Sequence, residues 1–169
     1  MISFQTLSRV LGASLLALAI AGCGGGGGGK AGITSVSASS LFYQATLTVT
    51  VNGSGFLDSG LNMVVEGACG PVTSAVAATD AQVQFSCKIG ATGPIVPRIL
   101  DGSGTELASL RLDVPKPQLR MTVAQGERSG IMLLELDANA APITVTNFLN
   151  LVAAGHYTAV CDHGNGHTI

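Results

Sequence analysis

The segment from Ala31 to Lys116 alternates apolar and polar residues with a period of two over several short stretches. The clearest is ATLTVTV (Ala45–Val51), in which apolar residues alternate with threonine, the pattern of a half-buried β-strand. Further stretches of this kind are LNMVVEG, VTSAVAA, QVQFSC, IVPRIL and LASLRLDV, separated by turns such as NGSG and DGSG. About seven short strands at regular spacing predict an all-β sandwich over residues 31–116. Pro97, which has no amide hydrogen, favours an edge strand.

The first 23 residues are predicted to be a signal peptide rather than part of the fold. MISFQTLSRV carries one arginine, and the apolar run LGASLLALAIAG is too short to cross a bilayer. The run ends in IAGC, which resembles a bacterial lipobox and implies lipidation of Cys23 after cleavage. Gly24–Gly29 then predict a flexible tether over residues 24–30. Cleavage near Ala21 without lipidation and a buried N-terminal helix are the alternatives.

Lipidation at Cys23 predicts an exported protein that is anchored in the cell envelope. A glycine after the lipidated cysteine implies, by resemblance, the periplasmic side of the outer membrane. In an oxidising compartment disulfides persist, and Cys69 and Cys87 are the candidate pair because both lie in the 31–116 segment. Cys161 is then left as an unpaired thiol.

The 31–116 segment contains no pattern of catalytic residues. Asp58, Glu66, Asp80, Asp101 and Glu106 are isolated acids near predicted turns, and DGSG lacks the alternating acids of a calcium loop, so it predicts a hairpin turn. The net charge of the chain is −2 and its basic residues are scattered, which excludes an electrostatic footprint for nucleic acid. VNGSGF and the strand spacing resemble the immunoglobulin-like IPT/TIG modules of bacterial surface proteins. The segment is predicted to be a spacer or a binding module.

A domain boundary is predicted at the Pro-Lys-Pro sequence around Lys116, with a second domain over residues 117–169. The two prolines make a stiff, extended connector. QLRMTVAQGERSGIMLLELD contains two strand-like runs around GERSG, which predicts a β-hairpin with a somewhat long turn.

An amphipathic helix is predicted after the hairpin. Apolar residues lie at positions i, i+3, i+4 and i+7 of one helix face: Val145, Phe148, Leu149 and Val152. Pro142 suits the first turn and Gly155 suits the C-terminal end. The apolar face is predicted to cover a sheet.

The segment Leu119–Tyr157 resembles the N-terminal part of bacterial cyclophilin-type peptidyl-prolyl isomerases. That family opens with a hairpin ending in an LELD-like strand, continues with AP-TV-NF and a helix, and reaches GHY or GYY. The matching residues that we assign to the family scaffold are Leu134, Glu135, Leu136, Asp137, Pro142, Asn147, Phe148, Gly155 and Tyr157. The resemblance implies that they form the first hairpin and helix of a cyclophilin-like β-barrel.

The family's chemistry requires a groove for a twisted X–Pro amide, an apolar proline pocket and an arginine directed at the prolyl nitrogen. It requires no metal and no cofactor. In the family the arginine follows the GHY region in a strand similar to F-H-R-V, whereas Tyr157 is followed here by TAVCDHGNGHTI. We therefore assign no catalytic residue. The predicted fold is mainly β: an immunoglobulin-like sandwich followed by an incomplete cyclophilin-like barrel start, which leaves apolar surface and strand edges uncovered.

A metal-binding C-terminus is a weaker alternative. Cys161, His163 and His167 have ligand-like spacing, and His156 is the only obvious fourth ligand for zinc. The prediction is that no metal binds there.

Two hypotheses of function follow. The first is a lipid-anchored cyclophilin-type isomerase that acts on proline-containing polypeptides and assists the folding of envelope proteins, with this chain expected to stop before the catalytic arginine and to be inactive itself. The second is a non-enzymatic lipid-anchored protein whose β-sandwich binds a partner and whose C-terminal part is a degenerate cyclophilin remnant.

Overall fold

A computed structural model describes residues 2–6, 18–19, 31–74, 79–125 and 127–157 of the chain. These residues are mainly β, with one helix. They fall into two compact units that divide between Pro115 and Lys116. We call them the two-sheet unit, up to Pro115, and the hairpin–helix unit, which contains Ile2–Thr6 and the residues from Lys116 onwards.

The two-sheet unit contains nine strands in two antiparallel sheets. They are β2 (Leu18–Ala19), β3 (Gly32–Ser39), β4 (Thr46–Ser54), β5 (Asn62–Gly67), β6 (Thr73–Ser74), β7 (Gln82–Lys88), β8 (Gly93–Leu100), β9 (Glu106–Ser109) and β10 (Leu112–Val114). One sheet has the order β2-β3-β4-β7-β6, and the other has the order β10-β8-β5 with β9 also paired to β8. Buried side chains of both sheets form one hydrophobic core.

Strand β4 has the alternation that its sequence predicts. Leu47, Val49 and Val51 are fully buried, whereas the threonines between them are half-buried. The apolar face meets core residues of the second sheet such as Ile95 and Ile99. Burial of large aliphatic side chains contributes about 1.5–3 kcal/mol each, so this face is a main source of stability for the unit.

The predicted NGSG turn is wrong for its first three residues, which continue β4 to Ser54. Their polar groups pair across strands: Asn52 Nδ2 donates to Ser35 Oγ at 3.0 Å, and Gln82 Nε2 donates to Asn52 Oδ1 at 2.8 Å. Gly53 permits a close approach to β3, because a Cβ atom at this position would overlap the carbonyl oxygen of Gly32. The glycine therefore serves strand packing, and the chain turns only at Gly55, where φ is 73°.

The edge-strand prediction for Pro97 is also wrong, because β8 has neighbours on both sides. Pro97 pairs with Val65 of β5, and its carbonyl oxygen accepts from Leu110 N at 3.0 Å on the other side. The second side of β8 pairs with two strands, β9 and β10. The ladder on this side is interrupted between Ser109, the last residue of β9, and Leu112, the first residue of β10. Since the amide nitrogen and carbonyl of one residue point to the same side of an antiparallel strand, the missing hydrogen of Pro97 faces this interruption.

The hairpin–helix unit consists of β1 (Ile2–Thr6), β11 (Gln118–Gln125), β12 (Arg128–Glu135) and α1 (Pro142–Ala153). The strands form an antiparallel sheet in the order β1-β11-β12. The ladder between β11 and β12 runs to the pair Gln125–Arg128, so the turn is shorter than the sequence predicts.

Helix α1 has the predicted apolar face: Val145 and Val152 are buried, and Phe148 and Leu149 are half-buried. Pro142 occupies the first turn, where its missing amide hydrogen has no intrahelical partner to lose. Among the residues that the structure describes, no helix is long and apolar enough to cross a membrane.

Strand β12 presents apolar side chains to solvent. Ile131, Met132 and Leu133 are 55%, 49% and 69% exposed, and β12 is the last strand of its sheet. This edge strand therefore exposes three consecutive apolar side chains.

Two short strands, β1 and β2, fall within the predicted signal peptide. β1 pairs with β11 from Ile2–Val123 to Thr6–Leu119, and β2 pairs with Val36 and Ser35 of β3. Cleavage at Cys23 stays a prediction. Such cleavage would remove both strands and would free the edge of β11.

Candidate functional site

Lys116 lies beside two of the residues that carry the cyclophilin resemblance. Its Nζ is 3.5 Å from Glu135 Oε1 and 3.6 Å from Asp137 Oδ2. Glu135 ends β12, and Asp137 lies in the connection to α1. All three side chains are about half exposed, so solvent screens both ion pairs. This group ties the connector to the end of the hairpin.

Asp137 shapes the turn before the helix. Its Oδ1 accepts hydrogen bonds from Asn139 N at 3.1 Å and Ala140 N at 3.0 Å. The Ala140 amide is the main cause that holds the pKa of the Asp137 carboxyl below its ordinary value of 3.8. Desolvation opposes this lowering of the pKa, and the Asn139 amide and the Lys116 ammonium add to it. These donors favour the charged carboxylate. Asp137 is thus a local organiser of the β12–α1 connection.

The pKa of Asp137, measured by titration, should reflect these hydrogen bonds and the ion pair with Lys116. Because its pKa is depressed in the folded state, the carboxylate stabilises the fold at pH values above its unfolded pKa of about 3.9 and loses this effect as the pH falls through the folded pKa. We expect an NMR titration midpoint below the ordinary value. Lys116→Gln should raise the midpoint only in part, because the backbone donors remain. A midpoint at or above the ordinary value would contradict the described hydrogen bonds.

The remaining scaffold residues hold the helix and its C-terminal end. Gly155 has φ of 73°; its N–H donates to Val152 O at 3.0 Å, and the next N–H, of His156, donates to Leu151 O at 2.9 Å. This is the Schellman pattern, which favours glycine at the left-handed position. The Phe148 and Tyr157 rings contact each other with centroids 5.4 Å apart. Pro142 begins the helix, and Asn147 lies on its exposed side.

Leu134 and Leu136 are half-buried on either side of Glu135. Leu136 N donates to Pro117 O at 2.9 Å, which extends the hairpin ladder by one bond. The scaffold residues therefore lie along the end of β12, its connection and the helix. Among the described residues they form no cluster of three potential metal ligands.

In the two-sheet unit, Cys69 and Cys87 form a disulfide, the pairing that the sequence favours. Cys69 follows β5 of one sheet, and Cys87 lies on β7 of the other, with Cα atoms 5.7 Å apart. Cys87 is buried in the core. The bond therefore links the two sheets directly.

The DGSG sequence forms the predicted hairpin turn between β8 and β9. Asp101 Oδ1 accepts from Ser103 N at 2.9 Å, Ser103 Oγ at 2.6 Å and Thr105 N at 2.9 Å. This carboxylate also lines a shallow depression with Asp58, Ser59 and Ala31. Because the turn uses Asp101 Oδ1, the local geometry explains the residue without a cation. No cluster of three potential metal ligands occurs within the described ranges.

The ion pairs of Arg98 were not predicted from the sequence. Arg98 Nη2 lies 2.6 Å from Glu66 Oε1, and its Nε lies 3.7 Å from Glu106 Oε2. The three residues come from β5, β8 and β9, and only strand register brings them together. All are substantially exposed, so the pairs belong to the solvated face of the sheet.

Several features singled out in the sequence lie outside the described residues: Ala21 and Cys23 at the predicted cleavage site, the 24–30 tether, residues 75–78 of the predicted VTSAVAA strand, and Cys161, His163 and His167 of the possible metal motif. His156 is described, and its ring contacts Tyr157 edge-on with centroids 5.1 Å apart.

Comparison of the chain with protein-family models, with curated proteins and with solved structures found no match.

Proposed function

We propose that the chain belongs to a lipid-anchored envelope protein in which an immunoglobulin-like domain precedes a cyclophilin-type peptidyl-prolyl isomerase domain. Lipidated Cys23 anchors it on the periplasmic side of the outer membrane. Proline-containing polypeptides of the envelope are its substrates, and no cofactor or nucleic acid takes part.

The order of elements in the hairpin–helix unit carries the isomerase proposal. Strand β11, strand β12 and helix α1 follow one another as the cyclophilin resemblance implies, and the scaffold residues occupy the end of β12, the connection and the helix. In addition, β12 has exposed apolar side chains and forms the edge of its sheet. Further strands that pair with β12 would cover them and close a barrel.

In the proposed isomerase, the described residues supply the scaffold rather than the groups that act on the X–Pro bond. Rotation about the X–Pro bond crosses a barrier of about 18–20 kcal/mol because amide resonance is lost. A catalyst lowers it with a donor that prefers the twisted state, and a permanently charged arginine serves this role. The scaffold residues hold the hairpin and helix, whereas the donor and the proline pocket belong to strands after Tyr157 in the family.

A second candidate is a non-enzymatic protein that acts through the two-sheet unit. The observation in its favour is that this unit has its own core and its own disulfide, both formed within residues 31–115. The hairpin–helix unit would then be a remnant without activity.

Sequencing the gene past the codon for Tyr157 and assaying the proteins that it encodes distinguishes the two candidates. The isomerase proposal expects a frame that encodes a Phe-His-Arg strand, whose product accelerates X–Pro isomerisation at least about tenfold over the uncatalysed relaxation of about 10–100 s. The 169-residue chain should give no acceleration. Replacement of that arginine by alanine is the matched control. Absence of such a frame, or an inactive longer product, would leave the non-enzymatic candidate.

A further inference from the structure

The chain enters the two-sheet unit at one end, which we call the proximal end. Strand β3 begins there at Gly32, opposite Ser54 at the close of β4. The connection from β4 to β5 and the turn from β8 to β9 lie at the same end, since Gly102 N donates to Ser59 O at 2.8 Å. Ala31 lines one depression with residues of both these loops.

The chain leaves the unit at the other end, which we call the distal end. Val114, the last residue of β10, pairs with Gly93, the first residue of β8. The opposite end of β8, Leu100, pairs with Asn62 and leads into the proximal turn. The distal end also contains the β3–β4 connection, because Gln44 N donates to Ile89 O at 3.0 Å.

From this arrangement we infer that the two-sheet unit is a stand-off module: it holds the polypeptide after Val114 one strand length farther from the membrane than Ala31. The inference rests on the lipid anchor of the proposed function, but not on isomerase activity. A chain that entered and left at the same end would gain no distance from such a unit. Here the entrance and the exit are separated by the whole of β8.

The length of the unit relative to its tether favours an average orientation in which the proximal end lies nearer the bilayer, even when the unit rotates about the tether. Strand β8 has eight residues, which at about 3.3 Å per residue give about 26 Å. A glycine-rich segment with the length of residues 24–30 has a root-mean-square extension of about 15 Å. A flexible segment of that length would be shorter than the unit, so a lipid on Cys23 would keep the proximal end nearer the bilayer on average.

The charges of the proximal end oppose adhesion to a bilayer surface. Three carboxylates lie there, on Asp58, Asp80 and Asp101, and the loops that carry them are joined by hydrogen bonds such as Phe56 N to Asp80 O at 3.3 Å. Of the basic residues in the described part of the unit, Lys88 lies at the distal end and Arg111 lies between β9 and β10. Arg98 lies two residues from the proximal end of β8, where its guanidinium pairs with the carboxylates of Glu66 and Glu106. Anionic headgroups attract basic rather than acidic segments, so these three carboxylates add no attraction to the bilayer. Lys30, directly before Ala31, is the one basic residue of the 24–30 segment.

Energy transfer to a labelled bilayer tests the inference. The full lipidated chain carries a donor dye at Leu57→Cys, at the proximal end, or at Phe42→Cys, at the distal end, both with Cys161→Ser. Leu57 and Phe42 are 64% and 57% exposed, so the labels should not disturb the core. Gly90→Cys, where a Cβ atom would meet nothing within 4 Å, gives a second distal position. The vesicles are phosphatidylcholine with a small fraction of headgroup-labelled acceptor lipid.

We expect at least about twofold more transfer from the proximal label than from either distal label, given a separation of about one strand length. Equal transfer, or more transfer from the distal labels, would overturn the stand-off role while leaving the anchor intact. Cys23→Ser should abolish both vesicle binding and transfer. Absence of lipid on Cys23 in the unaltered chain would overturn the anchor and the stand-off role together, and isomerase assays would be unaffected.

Discussion

Reduction of the Cys69–Cys87 disulfide is expected to lower the free energy of unfolding of the two-sheet unit by about 3 kcal/mol, the chain-entropy value for a closed loop of this size. The two cysteines are separated by 18 residues in sequence and join the two sheets that share the core. The exposed ion pairs of Arg98 contribute at most about 1 kcal/mol each. The disulfide is therefore the larger of these two stabilising features.

Native-state hydrogen exchange, with and without reductant, measures this effect separately in each unit. Amides of β4 and β7 should exchange roughly 100-fold faster after reduction, the factor that corresponds to about 3 kcal/mol. Amides of α1 provide the internal control, because α1 belongs to the other unit. A Cys69→Ala/Cys87→Ala variant should be insensitive to reductant. Unchanged protection of β4 on reduction would show that packing alone holds the sheets together.

Gly53→Ala is expected to lower the free energy of unfolding of the two-sheet unit by about 2–3 kcal/mol, the upper part of the usual range for overpacking. The added Cβ atom would overlap the Gly32 carbonyl oxygen and would lie 2.6 Å from the Phe56 ring. The carbonyl belongs to the backbone of β3 and the Phe56 side chain is buried in the core, so relief of the overlap requires a shift of β3 and of the core packing. We expect a lower thermal midpoint for the two-sheet unit.

Gly90→Ala is the matched control for this substitution. A Cβ atom at Gly90 meets nothing within 4 Å, and its φ does not lie in the left-handed region. We expect a change within about 1 kcal/mol, in which the reduced entropy of the unfolded chain can even favour alanine. Similar midpoints for the two variants would refute the close approach of β3 and β4 at Gly53.

Local patterns predicted the elements well where one face of an element is buried. The alternation in Ala45–Val51 predicted β4, and the i, i+3, i+4, i+7 spacing predicted α1 with Val145 and Val152 inward. Both patterns depend only on residues near one another in sequence, and burial of one face selects between them. The cysteine pairing followed from simple proximity in the 31–116 segment.

Predictions failed where a residue responds to a strand that is distant in sequence. Pro97 was expected at an edge, but it lies on a central strand because the chain opposite its nitrogen is interrupted between β9 and β10. Asn52, Gly53 and Ser54 resemble a turn by composition, yet they extend a strand because β3 and β7 offer partners. The periodicity of a segment does not indicate which strands lie beside it in the sheet.

In the candidate site, too, the sequence predicted the local elements but not the contacts between residues that are distant in sequence. Residue types and order predicted which positions form the hairpin and helix after Lys116, and Gly155 was correctly placed at the end of α1. The carboxylates of Glu135 and Asp137 beside the Lys116 ammonium emerged only with the fold. Nothing in their spacing fixes that contact, because it depends on where the connector passes the end of β12.

For this protein, the sequence by itself determined strands β4, β5, β7 and β8, the β11–β12 hairpin and helix α1, the inward faces of β4 and α1, and the pairing of Cys69 with Cys87. It did not predict strands β1, β2 and β3, and it predicted β9 and β10 as one strand. Only the tertiary structure decided which strands are neighbours, why Gly53 must be glycine, and that the chain enters and leaves the two-sheet unit at opposite ends. The physical reason is that periodicity and turn chemistry act over a few residues. Strand register and close backbone approach are set instead by packing between segments that lie far apart in the chain.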